Sequence, residues 1–264
     1  MIDVIAALLG ILQGLTEFLP VSSTAHLLVA GELMHFNDPA FTVMIQLGSI
    51  FAVMWLYRVK IANIVRGLGS DPDAQRFALM LFVAFIPAVI AGALFSKFIK
   101  SVLYESPRVF AWAFILGGIV MLIVERFRPA PVIENAEHTP VSRALGVGLC
   151  QTLALIPGVS RSGATIVGGM LMGLDRPAAA EFSFFLAIPT MAAAFVKSAW
   201  DVRHELNSDR VIEIAIGFVM AFVASVLVVR PFLRFVARSG FAAFAWYRIV
   251  AGLALLALVF AGVL

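Results

Sequence analysis

The chain has 264 residues, of which 62% are hydrophobic and only 13% charged, with a formal net charge of +3. An ordinary soluble domain carries about 25% charged residues, so this composition excludes a soluble globular protein and points to an integral membrane protein. The small basic excess falls in loops, where retention on the cytoplasmic side explains it without a nucleic-acid partner, and the single Cys150 excludes an intrachain disulfide.

From the N-terminus, Met-Ile-Asp-Val-Ile-Ala has no Lys or Arg before its apolar run and is expected to be retained, not cleaved as a signal peptide. Residues 2–19 are apolar but carry Gln13 and Glu17 and stop at Pro20. Residues 24–34 are apolar again, yet a crossing needs about 20 residues. The pair, about 2–35, therefore reads as a re-entrant helical hairpin. Apolar runs at about 41–57, 77–96 and 109–124 follow as spanning helices. Gln46 sits within the first of these, where helix-to-helix hydrogen bonding accounts for it. A polar stretch from Glu125 to Ser142, rich in Pro, marks a cytoplasmic linker at 129–142. The order then repeats: a broken pair at about 143–173, and spans near 179–200, 211–229 and 242–263. Cys150 lies in the apolar part of that pair and reads as a small buried hydrophobe. His35, His138 and His204 fall in loops, where solvation is expected.

The repetition is visible residue by residue. Sliding the chain by 138 positions brings Gln13 onto Gln151, Val21 onto Val159, Ser22 onto Ser160 and Gly31 onto Gly169. Phe-Ala-Trp opens the last span of each half, at 110–112 and 244–246. One hairpin and three spans per half make the second half enter from the opposite face. The expected fold is an all-α polytopic membrane protein with an inverted-topology repeat, 1–128 and 143–264, whose broken helices meet near the midplane. The segments 58–76, 125–143, 174–178 and 230–240 carry eleven Lys and Arg. The opposite face carries six: Lys97, Lys100, Arg108, Lys197, Arg203 and Arg210. The richer side is assigned to the cytoplasm and both termini to the outside.

Two arginines, Arg161 and Arg248, sit at membrane depth, where a charge costs roughly 2.5–3.5 kcal/mol even on the lenient scale and marks a functional candidate. Gln13 and Glu17 are four apart, on one helical face. Glu17 can act as a base, bind a cation or pair with Arg161. Ser22, Ser23 and Thr24 follow Pro20; for Ser22, N-capping competes with chemistry. Ser23 has His26 one turn away, the minimum arrangement for an activated nucleophile. In Pro157-Gly-Val-Ser-Arg-Ser-Gly-Ala-Thr165, a break is followed by a helix start, whose free amides attract anions. Ser160, Ser162, Gly163 and Thr165 would line a phosphate site there, and Arg161 would add a forked cation. Glu181 and Arg248 are supporting candidates that could pair with each other.

Gln13-x-x-x-Glu17 with Pro20-Val-Ser-Ser-Thr-x-His26, together with Pro157-Gly-x-Ser-Arg-Ser-Gly-x-Thr165, resembles the undecaprenyl-diphosphatase family, the bacitracin-resistance type of intramembrane lipid phosphatase. The resemblance extends over essentially the whole chain. It implies hydrolysis of undecaprenyl diphosphate to undecaprenyl phosphate and inorganic phosphate at the outer face of the bacterial inner membrane, recycling the cell-wall carrier lipid. Carried over by position, it makes Glu17, Ser23, His26 and Arg161 catalytic and Ser160, Ser162 and Thr165 phosphate-binding. It also implies dependence on Mg or Ca, with Glu17 as a metal ligand. The first motif position is Glu or Gln in that family and here is Gln13, which leaves no carboxylate at that position. The expected partners are a long-chain polyprenyl diphosphate and the bilayer, with a homodimer left open. Ser23 is expected to attack the terminal phosphorus while His26 takes its proton; His26 itself or an activated water would use the same residues. Inverted repeats with broken helices are also transporter architecture, so a polyprenyl-phosphate transporter or flippase is the rival reading. Fold analogy alone does not decide between them.

Overall fold

In the computed structural model, residues 2–36, 38–99, 106–202 and 208–262 are described; His204, Lys100 and Arg203 lie outside them. Among the described residues eleven α-helices follow one another: α1 Ile2–Thr16, α2 Ser23–Leu33, α3 Pro39–Leu56, α4 Arg58–Gly67, α5 Pro72–Phe98 and α6 Pro107–Phe127, then α7 Val141–Thr152, α8 Arg161–Leu171, α9 Arg176–Val202, α10 Ser208–Ser239 and α11 Ala242–Phe260. Five of them, in α5, α6, α9, α10 and α11, are long and apolar enough to cross a membrane. A sixth candidate is α3 joined to α4, a pair bent by 76° at Tyr57. The chain is an all-α, multi-pass membrane protein. Large side chains such as Phe82, Leu94, Trp112 and Trp246 remain exposed on its helices, as a bilayer solvent requires.

Small residues set the tightest helix contacts, because lipid supplies no hydrophobic drive between helices and close packing must do so. α1 lies on α10 where Gly10 faces the backbone of Gly217; a Cβ on Gly10 would overlap the Gly217 carbonyl. α7 lies on α5 where Gly148 faces the carbonyl of Ala84 in the same way. Gly10 and Gly148 are 138 positions apart, so the two copies of the repeat place a glycine at the corresponding crossing. Phe18, Phe77, Phe182, Phe184, Phe185, Phe232 and Phe241 fill the main core between α3, α5, α9 and α10.

Two segments differ from the sequence reading. Arg58–Gly67, expected as a basic loop, is a helix: Ile61 and Ile64 pack one side of it on the core, a side that its basic residues concealed in the composition. The polar stretch expected to begin at Glu125 starts later, because α6 runs on to Phe127 while the Glu125 carboxylate binds Arg176. The 129–142 segment is packed. Ile133 pairs with Leu174 as an isolated parallel bridge, a 3-10 turn spans Ala136–His138, and Ala136 and Thr139 are buried.

Candidate active site

Both hairpins break where the sequence changes from apolar helix to proline and hydroxyls. α1 ends at Thr16, with Pro20 in the break, and α2 starts at Ser23; α7 ends at Thr152, a 3-10 turn covers Leu153–Leu155, and α8 starts at Arg161. Proline has no N–H and its ring obstructs the preceding turn. The residue before each new helix is left-handed in φ: Ser22 at 66° and Ser160 at 75°. Non-glycine residues rarely adopt such values. Gly158, at φ 89°, turns the second break against the backbone of Phe110 with no room for a side chain.

Arg248 of α11 holds the two breaks together. It is 1% exposed, yet its fork is filled with backbone carbonyls. Nη1 donates to Pro20 (3.1 Å) and Val159 (2.9 Å), Nη2 to Ala113 (2.9 Å) and Gly158 (3.0 Å), and Nε to Phe114 (3.5 Å). Ser162 Oγ adds a second tie across the gap, donating to the Leu19 carbonyl at 2.7 Å.

Between the breaks lies Glu17, 5% exposed. Its Oε1 accepts from Arg161 Nη2 at 2.9 Å. Its Oε2 accepts from Ser23 Oγ at 2.6 Å and from Gln13 Nε2 at 2.8 Å. A buried carboxylate is retained only when paired and hydrogen-bonded, and Glu17 has both. Arg161 Nη1 reaches Ser183 of α9, at 3.0 Å to its carbonyl and 3.3 Å to its hydroxyl, while Nη2 also lies 3.8 Å from Met191 Sδ. Arg161 Nε and Gln13 Oε1 are buried without a hydrogen-bond partner.

The hydroxyls of the second break are engaged within the protein. Ser160 Oγ accepts from Gly163 N–H at 3.0 Å, a true N-cap, and lies 3.1 Å from Ser162 Oγ. Thr165 Oγ1 lies 2.6 Å from Ser183 Oγ and donates back to the Arg161 carbonyl. Ser22 makes no side-chain cap for α2; its carbonyl instead accepts from His26 Nδ1 at 2.8 Å.

Two expectations need correction. Ser23 and His26 lie a turn apart, but Ser23 donates to Glu17, and both ring nitrogens of His26 are occupied elsewhere: Nδ1 by Ser22 and Nε2 by Tyr247. The Ser22 carbonyl, at the N-cap, points along α2 to the residue four on, and there meets both the His26 backbone N–H and its ring. Glu181 and Arg248 do not pair, since Arg248 is filled by carbonyls and Glu181 accepts from Lys60 at 2.6 Å. Glu181 therefore belongs to a Lys60–Glu137–Glu181 cluster outside the site. Ser183 and Tyr247 were missed. Ser183 is an isolated hydroxyl in an apolar span, and Tyr247 carried no signal except its place beside Arg248.

The arrangement offers a hydroxyl on a carboxylate, beside a permanent cation with a free N–H. The family described as Bacitracin resistance protein BacA matches residues 6–254 of the chain. The chain is 50% identical over 260 residues to the undecaprenyl-diphosphatase of Cereibacter sphaeroides, covering 98% of this chain and 97% of that protein. It is 50% identical to undecaprenyl-diphosphatase 1 of Agrobacterium fabrum (97% of each). It is also 51% identical to the undecaprenyl-diphosphatase of Nitrosospira multiformis (97% of this chain, 94% of that one).

Proposed function

The chain belongs to the bacitracin resistance protein BacA family, and from that membership and the geometry between the two breaks we infer that it hydrolyses undecaprenyl diphosphate to undecaprenyl phosphate and inorganic phosphate. The observation that carries the site is the 2.6 Å hydrogen bond from Ser23 Oγ to the buried Glu17 carboxylate. A binding or translocating site needs no hydroxyl primed by a base; nucleophilic catalysis by that hydroxyl does.

Ser23 Oγ attacks the terminal phosphorus as its proton passes to Glu17 Oε2. The bond from that phosphorus to the bridging oxygen breaks, and undecaprenyl phosphate leaves with the electron pair. Water then attacks the phosphoserine, releasing inorganic phosphate and restoring the hydroxyl. Phosphoryl transfer asks mainly for positioning and for charge stabilisation on the transferring oxygens. Arg161 supplies both: Ser183 fixes one end of its guanidinium, and its Nε has no protein acceptor. The start of α8 adds the positive end of the helix. Ser160, Ser162 and Thr165 shape that turn, and Gly163 lends its N–H to the cap.

Among the described residues, no group of three or more His, Cys, Asp or Glu is placed to hold a metal. A Mg or Ca ion would be held by Glu17 and by Gln13 Oε1, a fully buried amide oxygen without a donor. Phosphate and water oxygens would complete a shell of six or more. When bound, such an ion would polarise the phosphoryl oxygens. We propose that the protein lies in the bacterial inner membrane with the site open to the outer face; the Lys and Arg asymmetry supports both termini lying outside. Its halves, 1–128 and 143–264, are proposed as inverted repeats. In support, α2 and α8 begin and end 138 positions apart, and α1 on α10 is mirrored by α7 on α5.

The test is phosphate release from a long-chain prenyl diphosphate by the purified chain in detergent, beside Ser23→Ala, Glu17→Gln and Arg161→Met. Each variant should lose at least about 10²-fold in kcat, the loss typical of removing one preorganised charge-stabilising group. A Ser23→Ala protein that turns over like the parent would remove the serine from the mechanism.

A further inference from the structure

We propose that Tyr247 is a positioning residue of this site, which acts through His26 by fixing its tautomer and ring orientation; the inference rests on the phosphatase reading above. Neither of the two motifs contains Tyr247. Its place beside His26 comes from the fold, which brings α11 across from α2, 221 residues away along the chain.

The neutral His26 ring has one arrangement of protons consistent with its neighbours. Nδ1 lies 2.8 Å from the Ser22 carbonyl oxygen. A carbonyl oxygen only accepts, so Nδ1 carries hydrogen and the neutral ring presents a lone pair at Nε2. That lone pair meets the Tyr247 hydroxyl at 2.5 Å, with the hydroxyl donating. The rings also stack, 9° from parallel with centroids 5.7 Å apart, and Phe114 packs on His26 at 5.8 Å. Imidazole is thus held by a carbonyl at one nitrogen, a phenol at the other, and aromatic surfaces around it.

The support behind this contact is rigid. Ser22 is held in its unusual φ by the break, and Tyr247 directly precedes Arg248, whose fork clamps both breaks. Tyr247 therefore moves with the same frame that sets Glu17 and Arg161. It is also 46% exposed, so the hydroxyl stands between His26 and the outside of the helical body. In this arrangement Nε2 is closed to Ser23, which leaves Glu17 as the base for that hydroxyl. His26 is then held in one tautomer for proton traffic on the outer side of the site, through the nitrogen that Tyr247 covers. The nitrogen that a histidine uses is commonly set by the bond at its other nitrogen, and here both bonds are set.

The experiment uses the full chain in detergent, with ¹⁵N-labelled histidine. The chain has four histidines, and His26→Gln assigns the signals of His26. The parent should show His26 as the Nδ1–H tautomer with a hydrogen-bonded Nε2. Tyr247→Phe, which keeps the ring and removes the hydroxyl, should shift the Nε2 signal. It should also lower kcat roughly tenfold while KM changes less than about twofold, a smaller loss than the roughly 10²- to 10⁴-fold contributed by proton transfer itself. His26→Gln/Tyr247→Phe should be no slower than His26→Gln alone, because Tyr247 acts only through the ring. Unchanged His26 signals in Tyr247→Phe overturn the inference, and so does a double variant whose losses multiply. If the parent releases no phosphate, the phosphatase reading fails, while the ¹⁵N signals still decide whether Tyr247 fixes the His26 tautomer.

Discussion

Replacing Arg248 by Met should loosen both halves of the active site at once, although Arg248 touches none of Glu17, Ser23 or Arg161 by hydrogen bond. A guanidinium has five N–H donors, and all five here point at backbone carbonyls, four of them within 3.1 Å. Hydrogen bonds to a charged group contribute about 1.5–3 kcal/mol each, giving roughly 6–12 kcal/mol for the four. Against this stands the desolvation of a cation that is 1% exposed, worth several kcal/mol. The net loss on Arg248→Met is then about 3–5 kcal/mol, the range expected when one side of a buried polar network is removed. Pro20, Gly158 and Val159 would be left without donors in a setting where water does not replace them. The assay is thermal unfolding in detergent, combined with phosphate release well below both midpoints. The expected result is a midpoint lower by about 10 °C and a kcat reduced even where the protein is folded, since the breaks no longer face each other. Arg248→Lys should recover only part of either, because three rotatable donors on one atom cannot reach five carbonyls. A Met variant with parental midpoint and turnover, or a Lys variant equal to the parent, would refute the clamp.

Ser183→Ala removes one partner each from Arg161 and Thr165 but keeps the Ser183 carbonyl bond; kcat should fall roughly 3- to 10-fold, about one neutral hydrogen bond, with little change in midpoint. Gly148→Ala forces a Cβ into the backbone of Ala84, so α7 must move off α5, at about 1–3 kcal/mol of stability, read as a lower midpoint. At Lys60, burial pushes the ammonium pKa down, but the bonds and charges of Glu137 and Glu181 outweigh it and hold the pKa above its ordinary value. The stability it contributes is therefore complete below the ordinary lysine pKa and is lost as pH rises through the raised one. Lys60→Met should lower the midpoint by roughly 3–9 °C at neutral pH and abolish that alkaline loss.

What the sequence made legible was the pair of breaks. Proline followed by hydroxyls inside apolar runs too short to span has few structural explanations, and the buried charges Glu17 and Arg161 had to be paired or functional. The structure brings those two together. The details that escaped share a physical cause: they depend on backbone atoms, which carry no side-chain signature. Arg248 binds five carbonyls, and no side-chain pattern could have named Pro20 or Gly158 as its partners. Ser23 and His26 satisfy helical spacing, yet the Ser22 carbonyl takes the imidazole. The spacing rule was sound for side chains on one helix, but His26 found a backbone acceptor at the N-cap of the same helix. The helix Arg58–Gly67 was hidden for a different reason, since a half-apolar surface helix and a basic loop differ little in overall composition.

The two strained serines show why one motif, present twice, can yield complementary chemistry. Ser22 and Ser160 occupy matching positions and share the left-handed φ, a conformation that costs of order 1–3 kcal/mol unless its surroundings impose it. The surroundings do so here: Arg248 grips the carbonyls just before each serine, at Pro20 in one copy and at Gly158 and Val159 in the other. With the breaks fixed, the residue after each strained serine becomes the first of its helix. In one copy that residue is Ser23, in the other Arg161. Both are delivered to the same carboxylate, Ser23 to Oε2 and Arg161 to Oε1 of Glu17. The site is thus assembled from one position used twice, a hydroxyl from the first copy and a cation from the second. Exchanging the roles would not restore it, because Glu17 has no counterpart: the matching residue in the second copy is Leu155. A Ser23→Arg/Arg161→Ser protein should therefore fold around the same clamp but release no phosphate, since its hydroxyl would sit where Ser183 holds Arg161 now. Turnover by that double variant would show that the carboxylate serves either position, and would break the assignment of Ser23 as the attacking group.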